Sequence, residues 1–357
     1  MKPDPAPIGV LLAQLGTPDE PTPQAVRPYL REFLSDMRII DYHPLLWQPI
    51  LRGIILRVRP RKSAALYKRI WLDEGSPLLV YSQKQVAGLQ DRLGEGYRVV
   101  LGMTYGQPSI RAALDRLEAE GIDRIIVLPM YPQYSSTTTA SVYDAVYKAA
   151  AGRRCPWFHE RKRFVPTLRF VPPYYDHPGY IAALAEQIET ARVGMAQPPE
   201  QYVFSFHGIP KRYARTGDPY PEQCTVTAQL LGEALGLADD QWRMTFQSQF
   251  GPEKWLEPDT EATIEDLPAH GVHDVLVACP GFTADCLETV DEIGNEAREA
   301  FEEAGGDPAR FSLAPCLNDN PTWLEALAEI TRREASGWQP ASIAQARQQA
   351  MSQPAGD

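Results

Sequence analysis

The side chains best suited to moving protons and holding a metal ion in this chain are one histidine and a run of glutamates. His207 directly follows the apolar run Tyr202–Phe206 (YVFSF) and stands before Gly208 and Pro210. A neutral imidazole accepts a proton near neutral pH and binds metals of borderline softness. A histidine at a strand's end, on a glycine turn, either faces a cleft or serves as a hydrogen-bonded turn residue, and its position alone does not separate the two. The other histidines (His43, His159, His177, His270, His273) sit in loops or polar contexts. Glu288, Glu292 and Glu296 are spaced by four in a helix that opens at Asp285. On an α-helix such residues lie about 6 Å apart along the axis and on nearly one face, where like charges repel. A cation would relieve that repulsion. Two plainer readings stand beside this one: Asp285 with Glu288 fits a capping box, and Glu292 with Glu296 fits a solvated face.

Two longer stretches could shape a site around these groups. Tyr131–Thr139 (YPQYSSTTT) offers an aromatic wall with hydroxyl hydrogen-bonding points, or a hydroxyl cap for the following helix. Residues 43–62 (HPLLWQPILRGIILRVRPRK) place Leu46, Trp47, Ile50, Leu51, Ile54 and Ile55 at helical spacing among Arg52, Arg57, Arg59, Arg61 and Lys62. Such a stretch can hold carboxylates through its arginines, lie on a membrane surface, or be an ordinary helix with snorkelling stems.

The elements that position these residues read as strands alternating with helices. Ile8–Leu15, Arg98–Met103, Arg124–Leu128, Tyr202–Phe206, Trp242–Phe246 and Val272–Ala278 are the expected strands. Gln24–Leu34, Ser109–Glu120 and Thr225–Gly236 are expected helices. Continuous apolar strands separated by helices indicate parallel sheets covered on both faces. The halves echo one another three times in the same order. Leu15-Gly16-Thr17-Pro18 matches His207-Gly208-Ile209-Pro210, Tyr105-Gly106 matches Phe250-Gly251, and the segment from Gly121 matches that from Gly271. Two similar α/β lobes follow, with a boundary at Pro172-Pro173: an N-terminal lobe over 1–172, a C-terminal lobe over 173–330, and a polar tail over 331–357. Ligands of open α/β sheets sit at the carboxyl ends of strands. Leu15, Tyr131–Thr139, His207 and Phe282–Glu288 therefore belong around one cavity.

Several function classes are disfavoured. The chain has 357 residues, 44% of them hydrophobic, and a net charge of −11, which opposes nucleic-acid binding and requires any anion site to be locally basic. Cys155, Cys224, Cys279, Cys286 and Cys316 are odd in number and never spaced C-x-x-C, which fits a reducing cytoplasm and indicates no disulfide framework or metal knuckle. The first residues carry no apolar signal segment, and no apolar run is long enough to span a bilayer. No phosphate-binding GxxxxGK[ST] loop is present, and Gly94-Glu95-Gly96 precedes a strand where a dinucleotide fingerprint would follow one.

Six segments carry a more specific signal: LGTPDEPTPQAVRPYLREFLSD from Leu15, GSPLLVYSQKQ from Gly75, YPQYSSTTTAS from Tyr131, SFHGIPKRY from Ser205, TFQSQFGPEKWLEPDT from Thr245 and PGFTADCLET from Pro280. In content and order, over roughly residues 8 to 330, they resemble the ferrochelatase family. The resemblance implies an α/β fold of two Rossmann-like lobes, each with a mainly parallel four-stranded sheet flanked by helices, and a porphyrin cleft between them. It implies a lyase that inserts Fe²⁺ into protoporphyrin IX with release of two protons, the last step of haem biosynthesis. His207 and Glu288 match the family's catalytic and metal-site His and Glu. Leu15, Arg59, Tyr67, Ser76, Tyr134 and Trp255 match porphyrin-binding positions, and Glu292 and Glu296 extend Glu288 into an ion ridge. Thr104 stands where some members have Arg. Ser136 and Thr137 occupy the region where cluster-bearing members have a Cys, and no cysteine follows Cys316. No [2Fe–2S] cluster, and no cofactor beyond the substrate Fe²⁺, is therefore expected.

The expected mechanism is insertion into a bent macrocycle, with Leu15 pressing one face and His207 accepting pyrrole protons on the other while Glu288 keeps the site negative. Protoporphyrin IX and ferrous iron are the expected partners of a cytoplasmic monomer or weak dimer, with peripheral membrane contact through residues 43–62. The alternatives are a chelatase for coproporphyrin III or sirohydrochlorin, and a non-enzymatic two-lobed protein that binds porphyrin or haem.

Overall fold

The computed structural model describes the backbone of residues 6–154 and 159–338; Cys155 and the tail from residue 339 lie outside the described residues. The leucine- and β-branched-rich runs gain what their patterning requires, burial on both faces. Strands β1 (Ile8–Gln14), β2 (Tyr97–Met103) and β3 (Arg124–Pro129) are followed by a small antiparallel hairpin of β4 (Gly152–Arg154) and β5 (His159–Arg161), then by β6 (Thr167–Phe170). A parallel four-stranded sheet runs β2-β1-β3-β6. The second half supplies β7 (Gln201–His207), β8 (Trp242–Gln247), β9 (Val275–Ala278) and β10 (Phe311–Leu313), which form a second parallel four-stranded sheet ordered β10-β9-β7-β8. Each sheet sets its second strand on one side of its first, and its third and fourth on the other. The weak sequence repeat is thus a repeat of topology.

The echoed glycines have a steric cause in both halves. Gly16, just after β1, has φ +118°, and a Cβ there would lie 1.7 Å from the Tyr105 carbonyl oxygen just after β2. At Gly208, just after β7, a Cβ would lie 2.8 Å from the Gln247 carbonyl oxygen that ends β8. Only glycine lets the first strand's turn pack this closely on the second strand's end.

The halves share one core. Ile8, Leu12 and Leu128 of the first sheet, Phe204, Phe206 and Leu276 of the second, and Trp323 belong to a single buried cluster. Burying one such side chain stabilises the fold by about 1.5–3 kcal/mol. Helix Pro321–Glu334 packs on helix Pro77–Leu93 of the first half and on helix Pro178–Val193. Its apolar period outlasts the boundary expected at 331. Thr331 and Ala335 are buried, Arg169 donates to the Glu334 and Ser336 carbonyls at 2.7 Å each, and its guanidinium lies 4.1 Å from the Trp338 ring centre. The helix thus runs on to Glu334, and the residues after it up to Trp338 keep contacts with the first half through Arg169. Among the described residues no helix is long and apolar enough to cross a membrane.

Candidate active site

A cleft of about 850 Å³ opens where the carboxyl ends of both sheets meet. Its lining includes Gln14 and Leu15 at the end of β1, Tyr131 after β3, His207 ending β7, Gln247 and Ser248 at the end of β8, and Phe282 after β9. The volume lies in the upper part of the roughly 300–1,000 Å³ range of small-molecule sites.

His207 is half-buried, with its ring centre 6.5 Å from that of Phe282. Its Nδ1 lies 2.6 Å from the Gly208 carbonyl oxygen. A carbonyl only accepts, so Nδ1 carries the proton and donates, which leaves the Nε2 lone pair free. The turn-residue role and the cleft-facing role are thus held together, one on each ring nitrogen.

The glutamates do not sit on an α-helix. Glu288–Ala297 is a π-helix. Its i→i+5 bonding widens the turn to roughly 4.4 residues. Residues four apart drift by about 40° on an α-helix and by a similar angle in the opposite sense here, so the three glutamates still lie roughly on one side of the helix. Glu288, Glu292 and Glu296 all border the cleft, the last of them exposed. The capping-box alternative is not realised. The Asp285 carboxylate accepts from Cys316 N at 3.1 Å, Asn318 Nδ2 at 2.7 Å and Thr289 Oγ1 at 3.3 Å. Those partners tie the start of the helix to the loop after β10.

Two residues beside His207 set the ladder's position. Gln247 pairs with His207 across β7 and β8. Its Nε2 donates to the Glu288 carbonyl at 2.7 Å, and its Oε1 accepts from Ser205 Oγ at 2.8 Å. Ser248 adopts φ +64° and donates from both N and Oγ, each at 2.6 Å, to the two oxygens of Glu292. Burial, with the Glu288 charge adding and the Ser248 bonds opposing, pushes the Glu292 carboxyl up to about 7. Glu296 is raised as well, by desolvation and then by Asp291. Asp291, on the same helix, is buried and neutralised by Arg69 Nε at 3.1 Å and by Asn295 Nδ2 at 2.9 Å. Both Gln247 and Ser248 lie inside the TFQSQFGPEKW segment, but nothing local marks them, because their partners are about forty residues away.

The porphyrin-position residues divide into three groups. Leu15, Arg59 and Trp255 line the cleft with His207 and Glu288. Arg59 is exposed, and the described residues offer it no ion-pair partner. Trp255 is buried, with Nε1 donating to the Phe250 carbonyl at 2.9 Å. Tyr67 and Ser76 instead border a small cavity of about 10 Å³ next to Leu15 and Glu288. Ser76 Oγ accepts from Thr17 Oγ1 at 2.8 Å, and burial pushes the Tyr67 phenol up, helped by Tyr29 and Glu288. Tyr134 is not among the residues that line the cleft. Its backbone N–H donates to Gln223 Oε1 at 2.7 Å. Thr137 and Thr138 line the cleft, and Thr138 makes no side-chain cap bond to helix Thr139–Ala150, so these two hydroxyls belong to the wall and not to a cap.

The basic stretch folds as helix Pro44–Ile50, a π-turn over Leu51–Ile55 and helix Leu56–Ile70. Leu51 and Leu56 point into the core, while Leu45, Leu46, Ile50, Ile54 and Val58 are exposed, Leu45 by 79%. Trp47 and Arg59 connect this face to the cleft wall.

Comparison with known proteins agrees with this geometry. The sequence profile of the family described as Ferrochelatase matches residues 7–335. The chain is 49% identical over 340 residues to Ferrochelatase 1 of Shewanella oneidensis, covering 94% of this chain and 98% of that one. It is 53% identical over 334 residues to the ferrochelatase of Methylibium petroleiphilum, covering 92% and 88%. Among solved structures, SirB from Bacillus subtilis with Fe³⁺ superposes with a TM-score of 0.55 at 11% identity, covering 92% of this chain and 96% of that one. The sirohydrochlorin chelatase SirB from Bacillus subtilis subspecies spizizenii in complex with cobalt gives 0.54 at 11%, covering 93% and 97%. These two share the fold. With the profile spanning both lobes and about half the residues identical along nearly the whole chain, this protein belongs to the ferrochelatase family.

Proposed function

We propose that this enzyme inserts ferrous iron into protoporphyrin IX, releasing two protons and forming protohaem as the last step of haem biosynthesis. The reading rests on one cleft bordered both by an imidazole with a free Nε2 and by a ladder of carboxylates, in a chain half identical to proteins named ferrochelatase. Insertion must strip two pyrrole protons and admit a divalent cation. A flat macrocycle shields its nitrogen lone pairs, so a site that binds it bent spends binding energy on a transition-state-like shape. Leu15 presses the apolar side. His207 Nε2 accepts the two pyrrole protons in turn, giving up the first before it takes the second, and the Glu288 charge stabilises the imidazolium and attracts Fe²⁺. Glu292, pushed up to about 7, exchanges protons at neutral pH and passes them to exposed Glu296. Arg59 holds a substrate carboxylate. Trp255, Tyr67 and Ser76 support the pocket wall.

The reaction in this reading needs no iron–sulfur cluster or other cofactor. Such clusters are held by several cysteine thiolates, and no two of the five cysteines here stand in C-x-x-C spacing. The exposed apolar face from Leu45 to Val58, flanked by Arg52, Arg57, Arg61 and Lys62, rests on the membrane surface and opens the cleft toward an apolar substrate. The test is anaerobic incubation of the purified enzyme with Fe²⁺ and protoporphyrin IX, followed through the Soret and visible bands, with coproporphyrin III in parallel. Multiple turnovers with protoporphyrin support the proposal. A shift that stops at one equivalent identifies a binder, and faster turnover of coproporphyrin reassigns the substrate.

A further inference from the structure

The two halves of the cleft are joined by contacts of several kinds, among them the Arg69–Asp291 ion pair and the Ser135 and Ser136 hydrogen bonds to Asp218. Across the floor the contacts are buried and neutral: Thr283 Oγ1 donates to the Met130 carbonyl at 3.1 Å, Gln85 Nε2 to the Thr283 carbonyl at 2.8 Å, and Gln133 Nε2 to Thr227 Oγ1 at 2.8 Å. These lie beside the shared apolar core and give no cheap way to open. One further junction is ionic with both partners partly exposed. Arg212, five residues after His207 in the short helix Lys211–Arg215, reaches across to Asp41 of the first half. Its Nη1 and Nη2 donate to the two Asp41 oxygens at 2.6 and 2.7 Å, a bidentate fork. Nη2 also lies 3.4 Å from Glu253 Oε1, and the guanidinium stands 4.9 Å from the Tyr213 ring centre. Tyr213 OH donates to the Ile39 carbonyl at 3.4 Å, which adds a second stitch between the same two segments. Asp41, Arg212, Tyr213 and Glu253 all border the cleft, and the Asp41 and Arg212 side chains are 39% and 45% exposed. The pairing holds the Asp41 carboxyl below its usual range, mainly through the Arg212 hydrogen bonds.

We infer that the Asp41–Arg212 pair is a clasp across the mouth of the cleft, and that it must open for a tetrapyrrole to be taken up or released. The inference deepens the proposed function and rests on it, since it names the tetrapyrrole as what the clasp lets pass. An exposed pair is worth little in water, so the clasp opens readily, while the buried floor keeps the lobes together and acts as the fixed side of the movement. Salt weakens exposed pairs, so raising ionic strength mimics opening.

Stopped-flow fluorescence of protoporphyrin IX with the full-length enzyme, without iron, measures uptake and release directly. D41N and R212Q are each expected to raise both rate constants by about two- to five-fold. High salt should accelerate wild type and leave D41N nearly unchanged. The charge-exchanged double variant, Asp41→Arg with Arg212→Asp, should return both rates toward wild type, with circular dichroism confirming the fold. Rates unchanged in the single variants, or not restored in the exchanged one, overturn the clasp. So does a pattern in which R212Q weakens porphyrin affinity while D41N tightens it, because Arg212 would then serve a substrate carboxylate. Wild type that fails to bind porphyrin at all removes the functional reading and the clasp with it, an outcome distinct from bound porphyrin with unaltered kinetics.

Discussion

Replacing Glu292 by Gln tests the electrostatics of the acidic ladder through stability, independently of turnover. In the folded enzyme the Glu292 carboxyl is pushed from 4.5 up to about 7, chiefly by burial. The folded state therefore holds this proton more tightly than the unfolded chain does, and stability falls as pH rises from 4.5 to about 7. At roughly 1.36 kcal/mol for each tenfold change in proton affinity, the full penalty above pH 7 is about 3 kcal/mol. A glutamine is isosteric with the protonated acid. It can accept from Ser248 N with its oxygen and donate to Ser248 Oγ with its amide. E292Q should match wild type at pH 4 and exceed it by about 2–3 kcal/mol at pH 8 in urea unfolding of the metal-free enzyme. A divalent cation held between Glu288 and Glu292 relieves the same strain, so zinc should stabilise wild type at pH 8 more than E292Q. A gain that is the same at both pH values, or no gain at pH 8, would refute the reasoning.

Three further outcomes follow from particular contacts. Arg69→Ala leaves the Asp291 carboxylate, whose side chain is 2% exposed, with Asn295 as its remaining partner; unfolding free energy should fall by about 2 kcal/mol, discounted for the partial exposure of Arg69, with Lys restoring only part. On the proposed mechanism Leu15→Ala removes an apolar contact to the macrocycle and should weaken protoporphyrin affinity roughly five- to thirty-fold, from about 1–2 kcal/mol of lost burial, as read by fluorescence titration. Ile54→Asp puts a charge on a side chain that is 61% exposed; co-sedimentation with anionic lipid vesicles should drop several-fold while turnover of detergent-solubilised porphyrin holds.

What the sequence discloses depends on how locally each feature is determined. The central strands β1, β3, β7 and β9 are legible because burial on both faces makes them continuous apolar runs. The edge strands β6 and β10, four and three residues long and only partly buried, carry no such pattern and escape notice. His207 is legible from its place after a strand and before a tight glycine turn, and Gly208 has a steric reason to be there. The four-residue spacing of the glutamates is visible, but the π-helix that carries them is not, because local spacing does not distinguish i→i+5 from i→i+4 bonding; Leu287 and Val290 meanwhile pack on the distant first-half cluster of Leu51 and Tyr67. The capping box misleads for the same reason: Asn318 and Cys316, thirty residues on, compete for Asp285 and win. Tyr134 shows the limit of a motif, which fixes the backbone path through the YPQYSSTTT turn without saying which side chains turn inward.

The most direct test of the account is His207→Ala, assayed for iron insertion and for protoporphyrin binding in the same preparation. Loss of the proton acceptor should lower the insertion rate by about a thousand-fold and leave porphyrin affinity within about three-fold of wild type. Insertion that persists near the wild-type rate would show that the protons leave by another group, and the central claim would fail.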